Sequence, residues 1–524
     1  MNPAQLFAAA AQSEAALARG EGDAYDHMIV ALALAERGDS AGAEQAFDRA
    51  LALEPNNPAV LTGLAAWHRK EGRLRDALLA CDKAIAAAPD YADAWVERGA
   101  AYAAGGSSAR ARACFAQAAA LAPGNAPAHA GFAALAARDG ALDAARAAAR
   151  RALALDPHNL GAAGALAAAE LEAGDARAAR SLMEPLVAQA PLGADRPQAS
   201  STLAQACEKL GDYAAAYGHY AQSKADFAAL HAEAAQRYLP STTFIEALSE
   251  GLAAVDPARW ASPLAPDALA PNHVFLLGYP RSGTTLVENV LASLPGVAAL
   301  EERPTFGEAD RRFLMGSRDE VVAGVGAFAA LDAEGLRPLR AAYWDKVRSA
   351  GVAADAPHLV DMDPMKGTRL PFVARLFPAA KVVIMRRDPR DVVWSCFKTS
   401  FAPTSGTMEY TTLERAARHY DALMRLTDLA LERLPLTAME LDYRALVREF
   451  DATTRALCDF TQIPWSEEVG RFDRTAQARG VSTASAGQVR KGLYDGSGQW
   501  RPFARWLEPV LPLLEPWIAR FGYD

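Results

Sequence analysis

A repeating period constrains this sequence more than any other feature. Pro55, Pro89, Pro123, Pro157 and Pro191 stand 34 residues apart, and so do Gly38, Gly72, Gly106, Gly140 and Gly174. Small residues keep the same step at Ala43, Ala77, Ala111, Ala145 and Ala179. Ala-rich apolar stretches at helical spacing lie between these marks. One unit, ERGDSAGAEQAFDRALALEPNNP, reads as helix, glycine turn, helix and proline stop. The glycine ends the first helix in a left-handed turn, and the proline cannot continue the second. The recurrent alanine lets the paired helices approach closely. Five units run from about Ala24 to Pro191 without drift, and a sixth, offset by three residues, centres on Gly211. Such a period specifies stacked helix pairs, each burying its apolar face against its neighbours.

The unit resembles the tetratricopeptide repeat (TPR). The resemblance implies an α-solenoid with a concave groove, used either to capture a polypeptide partner or to pair with a second copy of the chain. No ladder of Asn, Lys or Arg stands out on these Ala-rich helices, which favours self-association slightly. We expect residues 1–235 to form this solenoid, residues 236–272 a linker helix and loop, and residues 273–524 a separate α/β domain.

Composition excludes several function classes. The net charge of −9 disfavours a general nucleic-acid or anionic-membrane binder, so any anion site must be a local basic cluster. The five cysteines are far apart and never in a CxxC spacing, which disfavours a disulfide framework and a metal site. No apolar run approaches the roughly 20 residues that span a bilayer, and residues 1–20 lack the basic start of a signal peptide. The expectation is a cytoplasmic protein without membrane contact. The preference for Ala and Arg over Ile and Lys suggests a GC-rich bacterial genome.

The 34-residue step is lost near Pro240. His273–Leu277 is a short apolar run, Gly278–Gly283 a turn and Thr284–Leu294 a helical pattern. The same logic recurs in AKVVIMRRDPRDVVWSCFKTSF, with a strand at Lys381–Met385, a basic turn and a helix, and a third strand is expected near Thr437–Glu440. Short apolar strands alternating with helices predict a three-layer α/β fold on a central parallel sheet. Gly278-Tyr-Pro-Arg-Ser-Gly283-Thr284-Thr285 has the glycine spacing of a nucleotide-binding P-loop, but Thr284 stands where that loop carries lysine. The backbone N–H groups from Ser282 to Leu286 would face an anion at the helix N-terminus, with Arg281 opposite. The hydroxyls of Ser282, Thr284 and Thr285 can donate further bonds.

The segment PRSGTTL resembles the 5′-phosphosulfate loop of sulfotransferases that use 3′-phosphoadenosine 5′-phosphosulfate (PAPS). Arg387, with Ser395 eight residues later, resembles that family's 3′-phosphate pair. VSTASAGQVRKGLYDGSGQW resembles its closing loop, which would bring Ser485 and Arg490 to the cofactor. The likeness is strongest to protein-tyrosine sulfotransferases and to repeat-bearing bacterial sulfotransferases. It implies PAPS as sulfuryl donor, PAP (3′-phosphoadenosine 5′-phosphate) as product, no metal, and a hydroxyl acceptor on a polypeptide or a glycan. On this resemblance Arg281, Ser282, Gly283, Thr284, Thr285, Leu286, Arg387, Ser395, Tyr443, Ser485 and Arg490 would bind the cofactor. Catalysis would fall to Glu302 as general base, with Arg281 and Ser485 at the leaving group. Glu301 is the adjacent alternative base, and Tyr443 serves equally well as core packing. Residues 303–351 would form a helical lid over the acceptor.

One departure concerns the leaving group. Met362 in LVDMDPMKG occupies the position where tyrosine-sulfating relatives carry lysine. Either Lys366 reaches back, or Arg281 acts alone, or the chemistry is altered. Two further readings compete: a P-loop kinase-like phosphotransferase, and a non-catalytic repeat scaffold with a degenerate PAPS site. The kinase reading lacks the loop lysine, and no apolar strand ending in an acid stands out beside the loop.

Overall fold

The computed structural model describes residues 3–266, 269–352, 356–479 and 492–523. They form two compact units, residues 1–191 with 205–212, and residues 192–204 with 213–524.

The first unit is built of helix pairs. Ala24–Glu36 pairs with Ser40–Leu53, Pro58–Lys70 with Leu74–Ala87, Ala92–Ala104 with Ser108–Leu121, Ala126–Arg138 with Leu142–Leu155, and Leu160–Glu172 with Ala176–Gln189. Gly38, Gly72, Gly106, Gly140, Gly174 and Gly211 all turn with φ between 74° and 86°, which shows that the offset sixth glycine follows the same rule. Ala43, Ala77, Ala111, Ala145 and Ala179 are all 0% exposed. A larger side chain at any of them would force the paired helices apart. Asn57, Asn125 and Asn159 cap the helices that follow them by accepting backbone N–H bonds.

The second unit holds a five-stranded, wholly parallel sheet. Its strands are β1 (Asn272–Leu277), β2 (Val297–Glu301), β3 (His358–Met362), β4 (Lys381–Arg386) and β5 (Thr437–Asp442), in the order β2-β3-β1-β4-β5. Both faces are covered. Val274 and Leu276 pack with Leu286, Val287 and Val290 of the helix Thr284–Ala292. Phe275, pointing the other way, meets Phe306, Tyr343 and Phe377. This is why β1 reads as an unbroken apolar run. The helix Ser241–Ala254 belongs to this unit: a Cβ on its Gly251 would lie 2.8 Å from Val325 Cβ. Residues 303–351 are helical as expected, in Gly307–Phe313, Arg318–Ala329 and Ala333–Ser349. No described helix is long and apolar enough to cross a membrane, and all five cysteines are buried free thiols.

Candidate active site

The chain leaves β1 toward β3 and β2, and leaves β4 toward β5. The carboxyl ends of β1 and β4 therefore flank the point where the strand order reverses, the place where open parallel sheets bind ligands. The loop 278–283 follows β1, and Arg387 follows β4.

The loop is held in a conformation that few side chains tolerate. Arg281 has φ 70° and Gly283 φ 110°. A Cβ on Gly283 would lie 2.7 Å from the Tyr443 ring, and one on Gly278 would lie 2.7 Å from Ser282 Oγ and 2.9 Å from the Met385 carbonyl. Tyr279 anchors the loop from below, its hydroxyl 2.6 Å from Nδ1 of the buried His419. Desolvation depresses the His419 pKa to about 3, so this imidazole is neutral. Among the amides expected to face an anion, Ser282 N–H donates to the Tyr279 carbonyl at 3.0 Å and Leu286 N–H to the Gly283 carbonyl at 3.0 Å, so these bond within the protein. The side chains of Ser282, Thr284 and Thr285 are buried at the helix start.

The two basic residues form one cluster. Arg281 Nε donates to Ser395 Oγ at 3.0 Å, and Arg387 Nη1 donates to the Arg281 carbonyl at 2.8 Å. Arg387 Nη2 donates to the Gly496 carbonyl, and its guanidinium lies 4.5 Å from the centre of the Tyr443 ring. Tyr443 OH donates to the Tyr494 carbonyl at 2.9 Å. Tyr443 thus fills two roles, its ring in the core cluster and its hydroxyl at the cleft. Arg387 is only 8% exposed, and its Nε has no hydrogen-bond partner. Among the described residues no carboxylate lies within ion-pair distance of it. Burial, reinforced by the Arg387 charge, lowers the pKa of Arg281 from its ordinary value. Arg281, Gly283, Leu286, Arg387, Ser395 and Tyr443 line a cleft of about 520 Å³, counted out to solvent, that Gly492, Tyr494, Gly496 and Gln499 complete. The Arg387 guanidinium spends its bonds on two neutral carbonyls, which leaves the cleft with positive charge of a kind that suits an anion.

Residues 271–467 match the family model described as the sulfotransferase family. An uncharacterized protein of Aquifex aeolicus (strain VF5) is 32% identical over 250 residues, which cover 46% of this chain and 32% of that protein. The chain thus spans about a third of that relative's length. Protein-tyrosine sulfotransferase 1 of Homo sapiens is 27% identical over 276 residues, covering 48% of this chain and 69% of the human protein. A thermophilic TPR protein of Thermus thermophilus is a structural neighbour at 26% identity and TM-score 0.31, covering 34% of this chain and 98% of that one. Residues 271–467 are thus similar to the sulfotransferase family, and a stack of 34-residue helix pairs precedes them.

Glu302 sits one residue beyond β2 on the carboxyl edge of the sheet and does not line the cleft. Its φ is 41°, a conformation that costs a non-glycine residue energy, and its N–H donates to the Met362 carbonyl at 2.8 Å. Desolvation, then the charges of Asp363, Glu301 and Glu288, raise its pKa to about 7. Its side chain is exposed by area, so the like-charge neighbours are the firmer cause. Glu288, on the helix after the loop, is 0% exposed and also raised to about 7, chiefly by desolvation and against the pull of Arg479 at 3.0 Å.

Met362 is fully buried in the core, and Lys366 is 3% exposed with its ammonium on Asp361. Asp361 also accepts from Thr305 and Tyr343, each at 2.9 Å. Lys366 is thus bound up in a buried network. Ser485 and Arg490 lie outside the described residues.

The expectation that no acid-ending strand adjoins the loop needs correction. β3 pairs directly with β1, carries Asp361 and is followed by Asp363. The sequence conceals it because the strand is five residues long with an acid inside it. Neither carboxylate is idle: Asp361 holds Lys366, and Asp363 accepts from Met365 N–H at 2.9 Å. Sequence reasoning also misses Asp391, whose two oxygens accept from the N–H groups of Gly498 at 2.7 Å and Trp500 at 3.1 Å. These bonds fix the segment that closes the cleft. The acid in RDPRDVV, two residues into a helix, is the only available signal.

Proposed function

We propose that the second unit transfers a sulfuryl group from PAPS to a hydroxyl of a macromolecular acceptor. The observation that carries this reading is the cleft at the carboxyl ends of β1 and β4, where Arg387 is buried with its hydrogen bonds on backbone carbonyls and no carboxylate within ion-pair distance among the described residues. The residues present suit a donor with phosphate groups: a guanidinium nitrogen left unbonded, hydroxyls at a helix start, and a loop glycine whose Cβ would strike Tyr443. When bound, PAPS supplies an electrophilic sulfur and a phosphate leaving group.

Arg281, Ser282, Gly283, Thr284, Thr285 and Leu286 would hold its phosphosulfate end, and Arg387, Ser395 and Tyr443 its 3′-phosphate end. Arg281 neutralises the charge that develops on the leaving oxygen. Glu302 accepts the acceptor's hydroxyl proton, a task for which a pKa near 7 is well matched. Roles for Ser485 and Arg490 rest on the family resemblance alone. With Met362 in the core and Lys366 on Asp361, leaving-group charge falls to Arg281. The acceptor is peptidyl tyrosine, as the names of the human and other relatives suggest, or a glycan hydroxyl, which needs the same machinery. The repeats recruit the acceptor or pair two copies of the chain.

The test is a lysate incubated with the purified chain and isotope-labelled PAPS, read by mass spectrometry. The expected result is labelled sulfate on a defined set of acceptors, lost when Arg281 is replaced by alanine. Label transferred from ATP instead of PAPS would favour the phosphotransferase reading, and no transfer from either would favour a binding-only scaffold.

A further inference from the structure

A second cavity opens in the same unit, near the far end of the helix Pro389–Lys398 that carries Ser395. It measures about 810 Å³, counted out to solvent, and its lining includes Lys224, Phe227, Leu230, His231 and Phe401. No residue of the sulfuryl-transfer reading lies in it.

Lys224 is its distinctive group. It projects from the helix Tyr213–Ala235 and is 6% exposed. Its ammonium donates one bond, to the Thr399 carbonyl at 2.6 Å. Among the described residues it has no carboxylate within ion-pair distance. The nearest acid in sequence, Asp226, is held by Arg196 at 3.0 Å and by Gln222 at 2.8 Å. Desolvation lowers the Lys224 pKa to about 8. The Phe227 and Phe401 rings lie 6.0 and 5.9 Å from the ammonium, and Ser223 turns its hydroxyl away to the Pro197 carbonyl at 2.6 Å. A buried ammonium with three donors and one neutral acceptor is costly unless something pairs with it.

We propose that this cavity binds an apolar monoanion, with its anionic head on the Lys224 ammonium and its hydrocarbon or aryl body against Phe227 and Phe401. A single buried cation matches a single negative charge, whereas a phosphate dianion would call for further cationic donors. The apolar walls select a ligand that is hydrophobic behind its head. A carboxylate and a sulfate monoester share this chemistry.

The test is calorimetric titration of the full chain with octanoate, octyl sulfate and 1-octanol. At least one anion should bind saturably and at least about tenfold tighter than the alcohol, and Lys224→Met should weaken it by about tenfold or more. Octanoate alone binding would assign a carboxylate head, and octyl sulfate alone a sulfate head. Lys224→Met keeps the side-chain length, removes an unpaired buried charge and should leave PAP affinity and the melting temperature intact. The inference is overturned if neither anion saturates below about 5 mM, if 1-octanol binds as tightly as the anions, or if Lys224→Met binds them like the wild type. The comparison of anion with alcohol needs no variant, and PAP affinity reports separately on the sulfuryl-transfer reading.

Discussion

Glu302 and Arg387 show how a residue's environment sets its chemistry. Both stand at strand ends, and neither environment is visible in the sequence. GVAALEERPTF shows a carboxylate pair after an apolar run, but not that Asp363 and Glu288 converge on Glu302 from other elements. RRDPRD shows a basic turn, but not that Arg387 spends its bonds on two carbonyls. The consequence for Glu302 is testable. It must be deprotonated to accept a proton, and its pKa is raised from 4.5 to about 7. Transfer measured as kcat/KM should therefore climb with pH through about 7 and level off above it. Glu302→Gln should lower the rate by roughly 10²–10⁴ while sparing PAP affinity, because an amide cannot take the proton. Glu301→Gln is the control. A profile flat from pH 6 to 8, or a Glu302→Gln variant that turns over normally, would assign the base elsewhere.

Legibility at the scale of elements followed periodicity. The helix pairs could be read because their marker residues recur in strict register, and even the offset sixth glycine obeys the turn geometry. β1 and β4 could be read because both faces of the sheet are covered. β2 and β3 could not: β2 is an edge strand with mostly half-buried residues, and β3 carries Asp361. The loop after β1 was legible from its glycine spacing, and the reason for that spacing is steric. Gly283→Ala would place a Cβ at φ 110° and 2.7 Å from Tyr443, whose ring in turn faces Arg387. We expect a loss of about 1–3 kcal/mol in stability and weaker PAP binding. Gly218→Ala, on the helix Tyr213–Ala235 with nothing within 4 Å of its Cβ, should instead be neutral or gain up to about 1 kcal/mol. Thermal melts of the two variants decide it, and equal effects would mean that the loop is not sterically fixed.

The whole molecule consists of two units of different logic, a repeating stack whose core is alanine and a sheet whose carboxyl edge gathers charge. A chain of net charge −9 can still concentrate arginines at one cleft, so total charge says little about the site. Every described residue assigned here to the cofactor lies in the second unit. The most direct measurement is a calorimetric titration of PAP and of ATP into the full chain, into residues 192–524 and into the full-length Arg387→Ala variant. The account predicts that PAP binds the full chain and residues 192–524 with equal affinity and ATP far more weakly. It also predicts that Arg387→Ala costs PAP about 2–4 kcal/mol, as expected for removing one partner of a desolvated charge pair. ATP binding as tightly as PAP, or PAP affinity unmoved by the loss of Arg387, would contradict it.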